Sequence, residues 1–190
     1  MTGSESAFVT EDVWEEFWIN IGPVWRRVLC GSDTLIPPPA GPILRRRRLT
    51  TDFEWVGTFE PVRWLPAVTQ ALLWDENGMD LGPLTGRSWQ LLQLGGPANV
   101  DVRRLSGTPV RRLILSNVDV KDLSGLQDIV GLRSLALAHG DFGSLPPLAH
   151  LTELVLYAEV DVDIAAAWTP GLRVTRLNEP YFPPFGPDDV

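Results

Sequence analysis

Leucines recur in short alternating runs through the second half of the chain. The pattern L-x-x-L-x-L has its clearest copies at Val110-Leu113-Leu115, Leu132-Leu135-Leu137 and Leu151-Leu154-Leu156, with a weaker copy at Trp89-Leu92-Leu94 and a degenerate one at Leu172-Val174. Alternation with a period of two is typical of strands, because successive side chains point to opposite faces. We therefore expect residues 110–116, 132–138 and 151–157 to form neighbouring parallel strands of one sheet, with their leucines buried.

The spacing of these copies adds a family resemblance. The central leucines at 92, 113, 135, 154 and 172 lie 21, 22, 19 and 18 residues apart, close to the roughly 20 to 29 residues of a leucine-rich repeat. The segment resembles that family, although the asparagine that usually follows the strand occurs once, as Asn117, with Gly140 and Glu159 near the equivalent places. The resemblance implies an α/β fold, a short leucine-rich-repeat solenoid with a parallel sheet whose units stack into one core.

The N-terminal half shows a helical period instead. Trp14, Phe17, Trp18 and Ile21 share one face of a helix predicted over residues 11–20, with Thr10 placed to cap it. This aromatic stripe either packs over the end of the core or binds a partner. Pro23 favours the start of a second short helix.

Further elements complete a predicted N-terminal cap. Residues 36–42, IPPPAGP, predict a loop, 49–59 a strand, and 64–74 another short helix. The chain then divides into a helical and mixed cap over residues 1–85, a leucine-rich-repeat segment over 86–178 and a proline-rich C-terminal tail over 179–190. The three parts form one architecture, because the ends of a repeat stack need covering.

The net charge of the chain limits the classes of partner that it is expected to bind. The 190 residues carry a formal net charge of -8, which argues against direct nucleic-acid binding and favours a basic protein partner. The run Arg45 to Arg48 is either an exposed segment beside acidic residues or a nucleic-acid patch.

Residue usage also suggests a compartment. The single cysteine, Cys30, excludes a disulfide within the chain, and neither a signal peptide nor an apolar run long enough for a membrane span is evident. These features predict a cytoplasmic protein. Fifteen arginines against one lysine hint at a GC-rich bacterial genome.

The sequence offers no recognisable catalytic set. Its two histidines, His139 and His150, lie outside any metal-binding spacing, and Gly95-Gly96-Pro97 lacks the lysine of a phosphate-binding loop. We expect no cofactor, no metal and no enzymatic activity. Two carboxylates far apart in the sequence would still support glycosidase-type chemistry, so an enzyme with unrecognised chemistry stays open as an alternative.

Two surfaces are candidates for binding a partner. The first is the open, concave side of the predicted sheet, where residues between the leucines form three rows. We expect an apolar middle row bordered by polar residues and a tyrosine to form the centre of an interface, unless the cap or the tail covers this side. The rows are Arg112, Ser134 and Glu153; Ile114, Ala136 and Val155; and Ser116, Ala138 and Tyr157.

The second candidate is an acidic ridge along the loops that follow the strands. Stacked units would align these loops along one edge, where their carboxylates either keep the surface solvated or capture a basic partner. The residues are Asp119, Asp122, Asp141, Glu159, Asp161 and Asp163.

These features predict a protein-binding module. The chain resembles small bacterial immunity proteins, and we expect it to bind and block a basic toxin or enzyme as a monomer forming a 1:1 complex. A nuclease or deaminase fits best, because an acidic ridge would mimic nucleic-acid phosphates. The alternative is an adaptor or scaffold that binds a cellular protein.

Overall fold

The computed structural model describes residues 9–51 and 54–178, so the predicted tail over 179–190 lies outside the described residues. Three helices come first, and seven strands follow in the described part of the chain. The helices are α1 (Glu11–Asn20), α2 (Pro23–Cys30) and α3 (Ala40–Leu44). The strands are β1 (Arg48–Thr50), β2 (Gln70–Trp74), β3 (Leu91–Asn99), β4 (Arg112–Asp119), β5 (Ser134–Ala138), β6 (Glu153–Tyr157) and β7 (Arg173–Leu177).

All seven strands belong to one parallel sheet that does not close into a barrel. Their order in the sheet is their order in the chain, so each strand pairs with the one that follows it. Leu113 pairs with Leu135, and Leu135 with Leu154. The prediction that residues 110–116, 132–138 and 151–157 provide neighbouring parallel strands is thus confirmed.

The sheet begins earlier in the chain than the leucine pattern indicated. The segment 64–74, predicted as a helix, instead contains a strand. A 3₁₀ turn ends at Trp64, and β2 runs from Gln70 to Trp74. That prediction was wrong because Ala71, Leu72 and Leu73 are buried together, and a continuous apolar run suits a parallel strand with both faces covered. Pairing with β1 and β3 outweighs the helical propensity of this segment.

The N-terminal helices match the sequence more closely. Helix α1 begins and ends where the aromatic stripe predicted, and Pro23 opens α2. Thr10 occupies the N-cap position but its side chain makes no capping hydrogen bond. Part of the predicted loop over 36–42 is instead helical, because Pro42 falls in the first turn of α3, where a missing N–H costs nothing.

The main core lies on one face of the sheet, called here the back face. The leucines at 113, 135 and 154 are each 0% exposed, and they join one apolar cluster that also includes Trp14, Trp18 and Trp25 from the helices. The indole of Trp14 donates to the carbonyl of Pro38 at 2.7 Å. The aromatic stripe of α1 therefore packs mainly into the core rather than onto a partner.

The backbone turns in a similar way where neighbouring strands approach their ends. Asn117 and His139 follow the paired residues Ser116 and Ala138, and both have a positive φ, of 55° and 47°. Asparagine and histidine tolerate this left-handed region better than most residues. His139, not Gly140, thus stands opposite Asn117. At the far end of the sheet Val174, not Leu172, pairs with Leu154.

Candidate functional site

The side chains opposite the main core form a second surface, called here the front face. Its middle row runs along the paired positions of all seven strands, and the row expected from the sequence forms part of it. In order across the sheet the row is Thr50, Leu72, Gln93, Ile114, Ala136, Val155 and Thr175.

The centre of the front face is buried, contrary to the sequence-based expectation of an open apolar row. Ile114 is 1% exposed and Ala136 is 2% exposed, and with Leu72 and Leu91 they form a second apolar cluster. A parallel sheet normally has both faces covered, and all five residues of β5 are buried. Ile114 and Ala136 therefore pack within the molecule, so this row is not the open apolar surface that the sequence suggested.

The border rows of the front face are only partly accessible. Ser116 and Ala138 are buried, Arg112 is exposed, and Glu153 and Tyr157 are half-buried. Val155, in the middle row, is half-buried as well. Val155 packs against the second apolar cluster. Ser134 is buried and donates its hydroxyl to Glu153 at 2.7 Å, and Arg173 lies 3.8 Å from the same carboxylate. Ser134 and Glu153 of the first row therefore bind side chains of neighbouring strands within the sheet.

The second predicted surface is accessible. All six of its carboxylates are exposed, and they lie at or after the carboxyl ends of β4, β5 and β6. Because parallel strands end at the same edge of a sheet, these residues share one edge. We call this surface the acidic edge; it comprises Asp119, Asp122, Asp141, Glu159, Asp161 and Asp163.

Backbone contacts hold the loops of the acidic edge side by side. Asp141 donates its main-chain N–H to the carboxylate of Asp119 at 3.2 Å, and its carbonyl accepts from Val120 at 3.0 Å. The carboxylate of Asp163 accepts from the N–H of Ala165 at 2.9 Å. These bonds order the loops that carry Asp119, Asp141 and Asp163, so a ligand would meet this part of the charge already in place.

One arginine partly offsets the negative charge of the acidic edge, and one histidine contacts it. His139 Nδ1 lies 2.9 Å from a carboxylate oxygen of Glu159, and Arg103 lies 3.7 Å from Asp122. The side-chain and main-chain hydrogen bonds from Ser124 hold the pKa of Asp122 below its usual value, with a smaller contribution from the Arg103 charge. Asp122 thus stays ionised to a lower pH than an isolated aspartate.

One further exposed carboxylate, Asp101, lies next to the acidic edge and was not predicted from the sequence. Asp101 lies two residues after the end of β3, and its loop is joined to the end of β4 by a bond from the N–H of Val100 to the carbonyl of Asp119 at 3.1 Å. Arg103, hydrogen-bonded to Asp101 at 2.8 Å, lowers the pKa of that carboxyl. The weaker copy Trp89-Leu92-Leu94 was the signal, because its following loop occupies the equivalent place.

Other kinds of site find little support in the described residues. Within residues 9–51 and 54–178, no three histidine, cysteine or acidic side chains are grouped as a metal ion requires. No helix in the same ranges has the length and apolar character to cross a lipid bilayer. Of the arginine run, Arg45, Arg47 and Arg48 are exposed between the end of α3 and β1.

Comparison of the chain with family models, with curated proteins and with solved structures gave no match.

Proposed function

We propose that this chain is a protein-binding module of the immunity type, which binds and blocks a basic toxin or enzyme and performs no chemistry itself. The observation that carries the proposal is the acidic edge, where six exposed carboxylates follow three adjacent parallel strands. A surface of one charge sign steers an oppositely charged partner and raises its association rate.

The proposed architecture is a short leucine-rich-repeat solenoid. Its support is the in-order parallel ladder, in which Leu49, Ala71, Leu92, Leu113, Leu135, Leu154 and Val174 pair in succession. These positions are about 19 to 22 residues apart, a spacing near that of the family. Each unit buries its leucines against its neighbours, and the loops at the strand ends are left to bind.

The partner best suited to the acidic edge is an enzyme that acts on nucleic acid, such as a nuclease or deaminase. Such an enzyme carries a basic surface for phosphates, and a row of exposed carboxylates offers that surface negative charge in place of the phosphates. Binding there would occupy the site that the nucleic acid needs. We expect a monomer that forms a 1:1 complex.

Affinity capture with matched charge variants tests this function. One variant changes Asp119, Asp141 and Asp161 to asparagine, which keeps one side-chain oxygen at each position and removes three charges. The control changes Asp33, Asp80 and Asp128 to asparagine, which removes the same charge outside the acidic edge. We expect the native chain and the control to capture the same basic partner from cells that make the protein, and the edge variant to lose it.

The kinetics of the captured partner complete the test. Association with the native chain should slow as salt rises, because screening shortens the reach of surface charges to about 10 Å at 0.1 M ionic strength. The edge variant should associate more slowly while unfolding at the same temperature as the native chain. An association rate indifferent both to salt and to the edge variant would show that these acids serve only to solvate the surface.

A further inference from the structure

A cleft lies between α1, the start of α2 and the 3₁₀ turn Glu60–Trp64, formed by residues separate from those of the acidic edge. Its volume is about 350 Å³, near the lower end of the roughly 300 to 1,000 Å³ typical of ligand sites. That size suits one long side chain rather than a large cofactor. Its lining includes Phe17, Ile21, Trp25, Pro61 and Trp64, with Glu16 and Glu60 among the polar members.

The aromatic walls of this cleft are held in place. Trp25 is buried and donates its indole N–H to the carbonyl of Thr58 at 2.7 Å. Phe17 and Trp64 stack with their ring centroids 5.1 Å apart, yet Trp64 remains 40% exposed. A large indole fixed from one side and open to water on another is a ready surface for a flat ligand group.

The cleft carries negative charge and therefore favours a cationic ligand. Among the described residues that line it, two are acidic and none is basic. Glu60 already binds Arg63 at 2.9 Å, whereas Glu16 is exposed and forms no ion pair with the described residues. A carboxylate and an exposed tryptophan that line the same cleft favour a cationic group able to contact both.

We propose that this cleft binds the side chain of an arginine presented by a partner polypeptide. The planar guanidinium stacks on Trp64 and donates hydrogen bonds to Glu16, while its methylene stem lies along the apolar wall. The same stacking occurs elsewhere in the molecule, where the guanidinium carbon of Arg87 lies 4.9 Å from the ring centroid of Trp89. Arginine fits better than lysine because the ammonium group of lysine is compact and strongly hydrated.

Titration of the ¹⁵N-labelled protein with short peptides tests the site. The probes are acetyl-Ala-Arg-Ala-amide, its lysine counterpart and its citrulline counterpart, which has nearly the shape of arginine without the charge. We expect the arginine peptide to shift the indole N–H resonances of Trp64 and Trp25 in a saturable way, with a dissociation constant in about the millimolar range. The lysine peptide should bind more weakly and the citrulline peptide should leave these resonances in place.

Matched variants separate specific contacts from general charge. Glu16→Gln should weaken the arginine peptide about threefold, while Glu15→Gln, one residue away on α1 and outside the cleft, should leave its affinity unchanged. Trp64→Ala should weaken binding about two- to fivefold, read from the Trp25 resonance, and Trp168→Ala serves as its exposed control. Retained amide spectra confirm that each variant is folded.

Three results would overturn the proposal. Equal shifts with the citrulline peptide would mean that the cleft takes apolar groups without regard to charge. Equal weakening by Glu15→Gln and Glu16→Gln would mean that only the overall charge of α1 matters. The absence of any shift at about ten times the expected dissociation constant would mean that the cleft binds no arginine. None of these results bears on the acidic edge, whose own test uses different residues.

Discussion

Replacing Ile114 with alanine tests whether the front face is core. Ile114 is 1% exposed, and its partners across the sheet, Gln93 and Ala136, are each 2% exposed. The change removes three carbon atoms, worth about 2.4 kcal/mol at roughly 0.8 kcal/mol for each buried group. Incomplete collapse of the cavity adds to this, so the free energy of unfolding should fall by about 2.5–4 kcal/mol.

Urea unfolding followed by circular dichroism measures this loss, and the midpoint should fall while the slope of the transition stays constant. Leu113→Ala, at the adjacent position on the back face, is the matched control and should cost a similar amount, because Leu113 is 0% exposed. Val155→Ala, at a half-buried front position, should cost less than either. A loss below about 1 kcal/mol for Ile114→Ala, beside a full loss for Leu113→Ala, would show that the front face is open to water.

Three further expectations concern the backbone and the loops. Gly96→Ala should destabilise the protein more than Gly107→Ala in the same urea assay. Both glycines have a positive φ, which costs an alanine about 1–2 kcal/mol, but only at Gly96 would the added Cβ collide with a neighbouring carbonyl oxygen. Equal losses of stability for the two variants would contradict this. Thr10→Ala should cost less than about 0.5 kcal/mol, below the usual range for a cap, because its side chain makes no capping bond; a melting temperature several degrees lower would refute it. Arg103 lowers the pKa of Asp101, so the ionised form favours the folded state above the ordinary pKa, and this contribution disappears as pH falls through the lowered value. Arg103→Gln should therefore raise the pKa of Asp101 in a carboxyl NMR titration, and an unchanged value would exclude the ion pair as the cause.

The sequence predicted strands best where the spaced leucine pattern recurred at a regular interval. Strands β4, β5 and β6 follow directly from Leu113, Leu135, Leu154 and their alternating neighbours. Strand β2 could not be recognised in this way, because Ala71, Leu72 and Leu73 form an unbroken apolar run that fits a buried strand or a buried helix equally. Only its pairing partners on both sides decide between them.

The candidate sites, like the strands, could be predicted from the sequence only in part. The acidic edge was predictable because parallel strands must end together, and its six carboxylates lie in the segments that come after three of the leucine patterns. The burial of Ile114 was not, since an apolar side chain on an alternating strand indicates an interface and a covered face alike. The cleft was hidden because Phe17, Trp25 and Trp64 lie on three separate elements, and no local period joins them.

The agreement between strand order and chain order also affects how this protein folds. Leu113 meets Leu135 across 22 residues and Leu135 meets Leu154 across 19, so every rung of the ladder closes a short loop. Closing short loops loses little chain entropy, and a low average sequence separation between contacts speeds folding. A parallel sheet usually forms slowly because its partners are distant in the chain, but here one folded unit provides a template on which the next can dock.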